Sequence, residues 1–167
     1  MISAKLVSEL NEQIKFEFYS AYYYLSMASW CETEHLSGAS NFFKQQAREE
    51  CGHAMKFYTY ICDQGGQVEL KTIEAPKRDF KSLLETFELS LEHEKFVTKR
   101  IYGLMDLAHE EKEYATISFL RVLVDEQVEE ESSMDKMVKK LKMVGKDGAG
   151  LLFLDNQLGA RAEEPGT

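Results

Sequence analysis

The chain carries the same spacing of side chains twice. In each copy a glutamate is followed 33 residues later by a second polar side chain and 3 residues after that by a third, and the second copy lies 77 positions after the first. The two triplets are Glu17, Glu50, His53 and Glu94, Gln127, Glu130. A pair three residues apart shares one face of a helix. The repeat therefore predicts a helical hairpin used twice, with one ligand-type side chain on its first helix and two on its second.

Apolar residues recur at helical spacing between the chain's breakers, which predicts an all-α protein. The predicted helices run from about Ser3 to Glu34, from about Ser40 to Asp63, from near Asp79 to near His109 and from about Glu113 to Met143, with a small fifth helix at 151–154. Glu17, Glu50, Glu94 and Gln127 each fall within about one residue of a helix midpoint. The four side chains are therefore expected at one level of a four-helix bundle.

A linker at 65–78 separates the two hairpins. Fully extended, it can reach roughly 46 Å, whereas a 28-residue helix is roughly 42 Å long. An up-down-up-down bundle needs only a short turn at this point. The linker therefore favours a long crossover, with the second and third helices parallel.

Buried carboxylates are costly unless they are paired or bound to metal. The four glutamates of the two triplets carry a charge of −4, no Lys or Arg occupies the matching positions, and two divalent ions would balance them. Oxygen-rich ligation with a single imidazole suits iron(II) or manganese(II) better than structural zinc. Glu50 is best placed to bridge two ions, and Gln127 is expected to hold the site by hydrogen bonds or to position oxygen. The alternative is that these groups are surface charges on amphipathic helices.

Several further residues lie near the predicted centre in sequence. Tyr24 is two turns beyond Glu17, where it would either donate a hydrogen bond or an electron near the metals or serve as a core aromatic. A third cation site, an exit path for iron or merely a solvated face is predicted for Glu49, Glu126 and Glu129. No matching partners are evident for His35, His93 and His109, which are expected to be incidental.

Composition excludes several classes of function. The 167 residues are expected to form one domain over 1–158, followed by a flexible polar tail at 159–167. A net charge of −9 argues against nucleic acid as a partner, and no apolar run is long enough for a membrane span. The N-terminus has no signal-peptide pattern, and the three cysteines predict free thiols in a reducing, cytoplasmic compartment.

Several segments of the chain resemble bacterial non-haem ferritins. They are Asn11-Glu12-Gln13, Glu17, Arg48-Glu49-Glu50-Cys51-Gly52-His53, His93-Glu94, Asp125-Glu126-Gln127-Val128-Glu129-Glu130-Glu131 and Gly150-Leu151-Leu152-Phe153-Leu154-Asp155. The second helix pair is Gln127 with Glu130 and not a second Glu-x-x-His, and Cys51 stands where bacterioferritins carry their haem-ligating Met. We therefore expect no haem. Rubrerythrin-like electron transfer would need a C-x-x-C domain, which the sequence lacks.

The resemblance implies a ferritin-like fold and a homo-oligomeric shell of 24 subunits that oxidises Fe(II) with oxygen or hydrogen peroxide and stores it as mineral. By this analogy, Glu17, Glu50 and His53 hold one iron, and Glu50, Glu94 and Glu130 hold the other, with Gln127 nearby. The same analogy assigns a possible third iron to Glu49, Glu126, Glu129 and Glu130, and makes Tyr24 the site-adjacent tyrosine.

Two other hypotheses remain open from the residues alone. A cage whose acidic groups only bind cations and nucleate mineral would take up iron slowly, without saturating. A di-iron oxygenase or peroxidase would turn over an organic substrate, and nothing in the sequence identifies one.

Overall fold

The computed structural model describes residues 2–160 as a bundle of five helices, and no strand occurs in this range. The helices are α1 (Ala4–Thr33), α2 (Ser37–Asp63), α3 (Leu83–Glu110), α4 (Tyr114–Val144) and α5 (Gly148–Gly159). The predicted fold class, four long helices with a crossover and a short fifth helix, is confirmed. None of the described helices is both long and apolar enough to span a bilayer.

Contacts between helices fix their directions. Along α1 and α3 the contacting pairs are Glu9 with Arg100 and Met27 with Ser90; along α1 and α2 they are Glu17 with Glu50 and Tyr24 with Phe43. In both cases the residue number on the contacting helix falls as the residue number on α1 rises. The first helix is therefore antiparallel to α2 and to α3. It follows that α2 and α3 are parallel, as the linker length predicted.

The crossover, residues 64–82, lies against α1. Asn11 donates from Nδ2 to the carbonyl of Gln67 at 3.0 Å and accepts from the amide of Glu69 at 2.9 Å. Further along, Ser26 donates to the carbonyl of Lys77 at 2.7 Å. The loop therefore follows α1 from residue 11 to residue 26, roughly 22 Å at the rise of an α-helix.

Two helix starts differ from the sequence prediction. The third helix begins at Leu83 and not near Asp79, because Ser82 is the N-cap: its hydroxyl accepts from the amide of Glu85 at 3.1 Å. The second helix begins at Ser37, three residues before Ser40, so Gly38 lies in its first turn.

The fifth helix is longer than the predicted 151–154, because the Asp147 carboxylate caps it by accepting from the amides of Ala149 and Gly150. At its other end α5 ends at Gly159, and the division between a domain at 1–158 and a tail at 159–167 stays a prediction. Residues 161–167 of that tail lie outside the described range.

Two apolar cores occupy the two ends of the bundle. One is built around Leu6, Leu10, Ile14, Phe57, Ile61, Ile101 and Leu120; the other around Met27, Phe43, Phe87, Met134, Val138 and Leu154. Between them lies a layer of buried polar side chains that includes three glutamates. This polar layer is where the two triplets meet.

Candidate metal centre

Three of the predicted glutamates are almost completely inaccessible to solvent. Glu17 is 1% exposed, Glu50 2% and Glu94 0%, and Gln127 is buried with them. Each comes from the middle of a different long helix. The interpretation that these groups are surface charges is therefore wrong for Glu17, Glu50 and Glu94, since a solvated face would leave them accessible.

The first triplet forms a compact cluster. One ligand atom from each of Glu17, Glu50 and His53 lies within 4.8 Å of the others. Gln13 donates from Nε2 to Oε1 of Glu17 at 2.9 Å, and His53 Nδ1 is 3.3 Å from Oε2 of Glu50. The second carboxylate oxygen of Glu17 is buried and has no hydrogen-bond partner. A buried acceptor of this kind is costly, and a bound cation would satisfy it.

Burial raises the pKa of the Glu17 carboxyl well above its usual range, and the neighbouring Glu50 carboxylate raises it further. Burial also raises the pKa of Glu50, although the contact with His53 opposes the shift. Without a cation the two carboxyls therefore resist ionising together. A divalent ion between them would favour the charged form of both.

His53 is held between two carboxylates. Burial alone would lower its pKa, but contacts with Glu126 and Glu50 outweigh that effect and raise the pKa to about 11. Its Nε2 is 3.2 Å from Oε2 of Glu126, and the other oxygen of that carboxylate, Oε1, accepts from Lys56 at 3.0 Å. The contact with His53 lowers the pKa of Glu126 to about 2. A metal ion bound by His53 would have to displace a proton.

The second triplet is organised by hydrogen bonds. Glu94 accepts from the hydroxyl of Tyr24 and, at 3.1 Å, from Nε2 of Gln127. The Gln127 amide also lies 3.2 Å from the hydroxyl of Thr98. Burial, and then the charge of Glu130, raise the pKa of Glu94 to about 7. Of the two alternatives for Tyr24, the structure supports both: it is a core aromatic, and its hydroxyl contacts the centre.

The residues assigned to a third iron are spread over α2 and α4. Glu126 contacts His53 and Lys56, whereas Glu130 accepts from Nε2 of Gln46 at 3.0 Å. Glu49 is partly buried and Glu129 is exposed. Within residues 2–160, the Glu17–Glu50–His53 group is the one set of three or more such ligands gathered this closely. The third site stays a prediction.

Sequence reasoning missed four side chains that support the centre. Gln13 and Thr98 lie one helical turn from Glu17 and Glu94, so a search at i−4 and i+4 finds them. Gln46 reaches Glu130 across the bundle, which no local pattern reveals. His93, treated as incidental, is packed among tyrosine rings and pairs with Ser20 at 2.7 Å.

Comparison with known proteins places this geometry in context. A model of the ferritin-like domain matches residues 7–144. The bacterial non-heme ferritin of Staphylococcus aureus strain USA300 is 45% identical over 161 residues, covering 96% of this chain and 97% of the relative. The corresponding protein of Staphylococcus haemolyticus is 44% identical over 162 residues, covering 97% and 98%.

Solved structures agree with the sequence relatives. An open-pore ferritin from the hyperthermophilic archaeon Archaeoglobus fulgidus superimposes with a TM-score of 0.96 at 47% identity, covering 97% of this chain and 100% of the archaeal one. A humanized archaeal ferritin gives the same TM-score of 0.96 at 46% identity, covering 97% and 99%.

Proposed function

The chain belongs to the ferritin family, and from this premise we propose that it oxidises Fe(II) at the buried centre and stores the product as ferric mineral. In this proposal the subunits form a hollow shell of 24 in the cytoplasm, and iron is the substrate as well as the stored material. The similarity to ferritins along nearly the whole chain supports the assembly.

One observation carries the ferroxidase proposal: the buried Glu17–Glu50–His53 cluster with its unpartnered carboxylate oxygen. A scaffold that only nucleates mineral needs exposed acids, whereas the two glutamates of this cluster are buried in a layer between two apolar cores. Burying like charges together has a cost that metal binding offsets, so the arrangement favours a dedicated cation site.

We assign one iron to Glu17, Glu50 and His53, and the other to Glu50, Glu94 and Glu130. In this assignment Glu50 bridges, and Gln127 orients Glu94. Carboxylate oxygens with one imidazole are ligands that suit iron. The negative charges of the carboxylates balance the positive charges of the two ions. The contact between His53 and Glu126 would then orient the imidazole once the metal has displaced its proton.

The electron count follows from the proposed pair of sites. Two Fe(II) ions give up two electrons, which reduce one oxygen molecule to hydrogen peroxide or one peroxide molecule to water. The carboxylates undergo no net change and set the charge around the irons. The Fe(III) products then leave the centre and hydrolyse into mineral, which frees the ligands for another pair.

Stopped-flow oxidation of Fe(II) in air tests the proposal, with Glu50→Ala compared against Glu110→Ala, which removes an exposed glutamate at the end of α3. The wild type and the control should oxidise iron rapidly and saturate near two ions per subunit, whereas Glu50→Ala should lose the fast phase and keep its shell. Slow, unsaturating uptake by the wild type would instead support the scaffold. Oxidation by Glu50→Ala at the wild-type rate would show the bridging assignment to be wrong.

A further inference from the structure

The imidazole of His93 lies among three tyrosine rings. Its ring centroid is 6.3 Å from that of Tyr24, 5.4 Å from Tyr23 and 5.9 Å from Tyr19. Tyr19 and Tyr23 also stack on one another at 6.0 Å. Four aromatic side chains from α1 and α3 are therefore in continuous contact.

One end of this aromatic group reaches the metal centre. The hydroxyl of Tyr24 donates to Glu94, and its ring is fully buried. Tyr24 also stacks on Phe43 at 6.0 Å, and the other described ring contacts of Phe43 are with Phe42 and Phe87. Phenylalanine is much harder to oxidise than tyrosine. Within the described ring contacts, the path from Tyr24 to other tyrosines that can be oxidised therefore passes through His93.

Accessibility increases along that direction. Tyr24 is 0% exposed, Tyr23 is 8% exposed and Tyr19 is partly exposed. His93 is fixed in place because Ser20 Oγ donates to the carbonyl of Phe16 at 2.9 Å, which leaves the Ser20 oxygen to accept from Nε2–H of His93 at 2.7 Å. The group thus connects a fully buried tyrosine to one that is partly exposed to solvent.

We propose that Tyr23 and Tyr19 form, through the ring of His93, an electron relay that re-reduces Tyr24 after it has been oxidised at the centre. This inference rests on the proposed ferroxidase function. It applies when a centre holding a single Fe(II) meets hydrogen peroxide, because one iron supplies only one of the two electrons that peroxide requires. The relay would move the missing oxidising equivalent away from the buried ligands.

The step balances with Tyr24 as the second donor. Hydrogen peroxide, one Fe(II), two protons from solvent and the Tyr24 phenol give Fe(III), two water molecules, a neutral Tyr24 radical and one proton. The phenolic proton passes to Glu94, its hydrogen-bond acceptor. An electron from Tyr23 or Tyr19 then returns to Tyr24 with that proton, and the newly oxidised tyrosine releases its own proton towards solvent.

The test uses the whole assembled protein, loaded anaerobically with one Fe(II) per subunit and mixed with hydrogen peroxide, followed by freeze-quench electron paramagnetic resonance. The double variant Tyr19→Phe/Tyr23→Phe keeps both rings and removes both oxidisable hydroxyls. Tyr22→Phe is the matched control, because Tyr22 is 53% exposed and its ring belongs to none of these contacts. Tyr24→Phe identifies the signal that belongs to Tyr24.

In the wild type the radical should shift from Tyr24 to Tyr23 or Tyr19 and decay. In the double variant it should remain on Tyr24 and live several-fold longer, with the two-iron oxidation rate unchanged. Equal radical lifetimes in the wild type, the double variant and the control overturn the relay while leaving the ferroxidase intact, and so does the absence of any tyrosyl signal. Failure of the wild type to oxidise two irons overturns the proposed function and the relay with it.

Discussion

The side-chain amide of Gln127 donates a hydrogen bond of 3.1 Å to the carboxylate of Glu94, joining the two helices of the second hairpin. The equivalent position in the first hairpin is Glu50, a carboxylate side chain that we propose as the bridging ligand. The repeat therefore keeps the spacing but changes the chemistry. Gln127 supplies a hydrogen-bond donor at the position where Glu50 supplies a carboxylate.

Replacing Gln127 with Leu should weaken metal binding because Glu94 is no longer held in position by the amide. Loss of the donor leaves Glu94 with one hydrogen bond fewer, and removing such an outer partner typically lowers metal affinity by about 10–100-fold. Calorimetric titration with Zn²⁺, which is redox-inert, measures this without catalysis. The control is Val122→Leu, which introduces the same side chain at an exposed position of the same helix. Unchanged affinity in Gln127→Leu would remove the positioning role.

Replacing Glu17 with Gln should stabilise the metal-free protein at neutral pH. The raised pKa of Glu17 means that this group favours folding only at low pH, and its contribution is lost as pH rises above the usual glutamate value. The introduced amide removes the repulsion with Glu50 and can donate to Oε1 of Gln13, which is buried without a partner. We expect a gain of about 1–3 kcal/mol in the free energy of unfolding.

Denaturant unfolding of the metal-free protein at pH 7 and pH 4 checks this prediction. The gain should appear at pH 7 and shrink towards pH 4, where the native carboxyl is protonated. In the same variant the metal-induced stabilisation should be smaller than in the wild type. A loss of stability at pH 7 would show that Glu17 already makes favourable interactions without metal.

His93 should make the protein sensitive to mild acid. Burial lowers its pKa to about 4, below the value of about 6.5 in an unfolded chain. The folded state therefore binds the proton less readily, so the contribution is intact above pH 6.5 and is lost as pH falls towards 4. The full linkage corresponds to about 3 kcal/mol.

A His93→Gln variant separates this effect from that of the carboxyls. The difference in unfolding free energy between wild type and variant should fall as pH drops from 7 to 4. His109→Gln is the control, because it makes the same replacement at an exposed position near the end of α3. A pH-independent difference for His93→Gln would mean that the imidazole titrates normally in the folded state.

Gly38 and Gly103 should respond oppositely to alanine. A methyl group on Gly38 would lie 1.8 Å from the backbone oxygen of Asp155, so α5 must move and the hydrogen bonds from Gly38 and Ala39 to the Asp155 carboxylate would be strained. A methyl group on Gly103 meets nothing within 4 Å. Gly103→Ala should therefore raise stability by about 0.5–1 kcal/mol, whereas Gly38→Ala should lower it.

Thermal unfolding and limited proteolysis measure the two variants together. Gly38→Ala should be cut faster near α5 and should melt earlier, while Gly103→Ala should melt slightly later than the wild type. If Gly38→Ala left both the melting temperature and the cleavage pattern unchanged, the close approach of α5 to α2 would not exist in solution. A destabilised Gly103→Ala would point to a contact of that face in the assembled protein.

Most of the fold and much of the centre could be predicted from the helical periodicity of the sequence. Glu17, Glu50 and Glu94 could be placed at one level because the rise per residue is constant, so a midpoint in sequence is a midpoint in space. The crossover followed from chain length alone. Helix ends were less predictable, since Ser82 and not the charged stretch before it decides where α3 begins.

The contacts across the bundle could not be predicted. Whether Glu126 or another acid of α4 reaches His53 depends on side-chain rotamers and on the rotation of one helix against another. The link between Gln46 and Glu130 spans 84 positions and leaves no trace in local spacing. The same holds for Asp155 on α5, whose carboxylate meets the first turn of α2.

The polar layer lies between two separate apolar cores. Burial of apolar side chains, which supplies most of the driving force for folding, is therefore concentrated towards the two ends of the bundle. Chemistry at the midplane can be redesigned, with new ligands or another metal preference, without rebuilding the parts that make the chain fold. The bundle thus has separate layers along its axis for folding and for the chemistry of the centre.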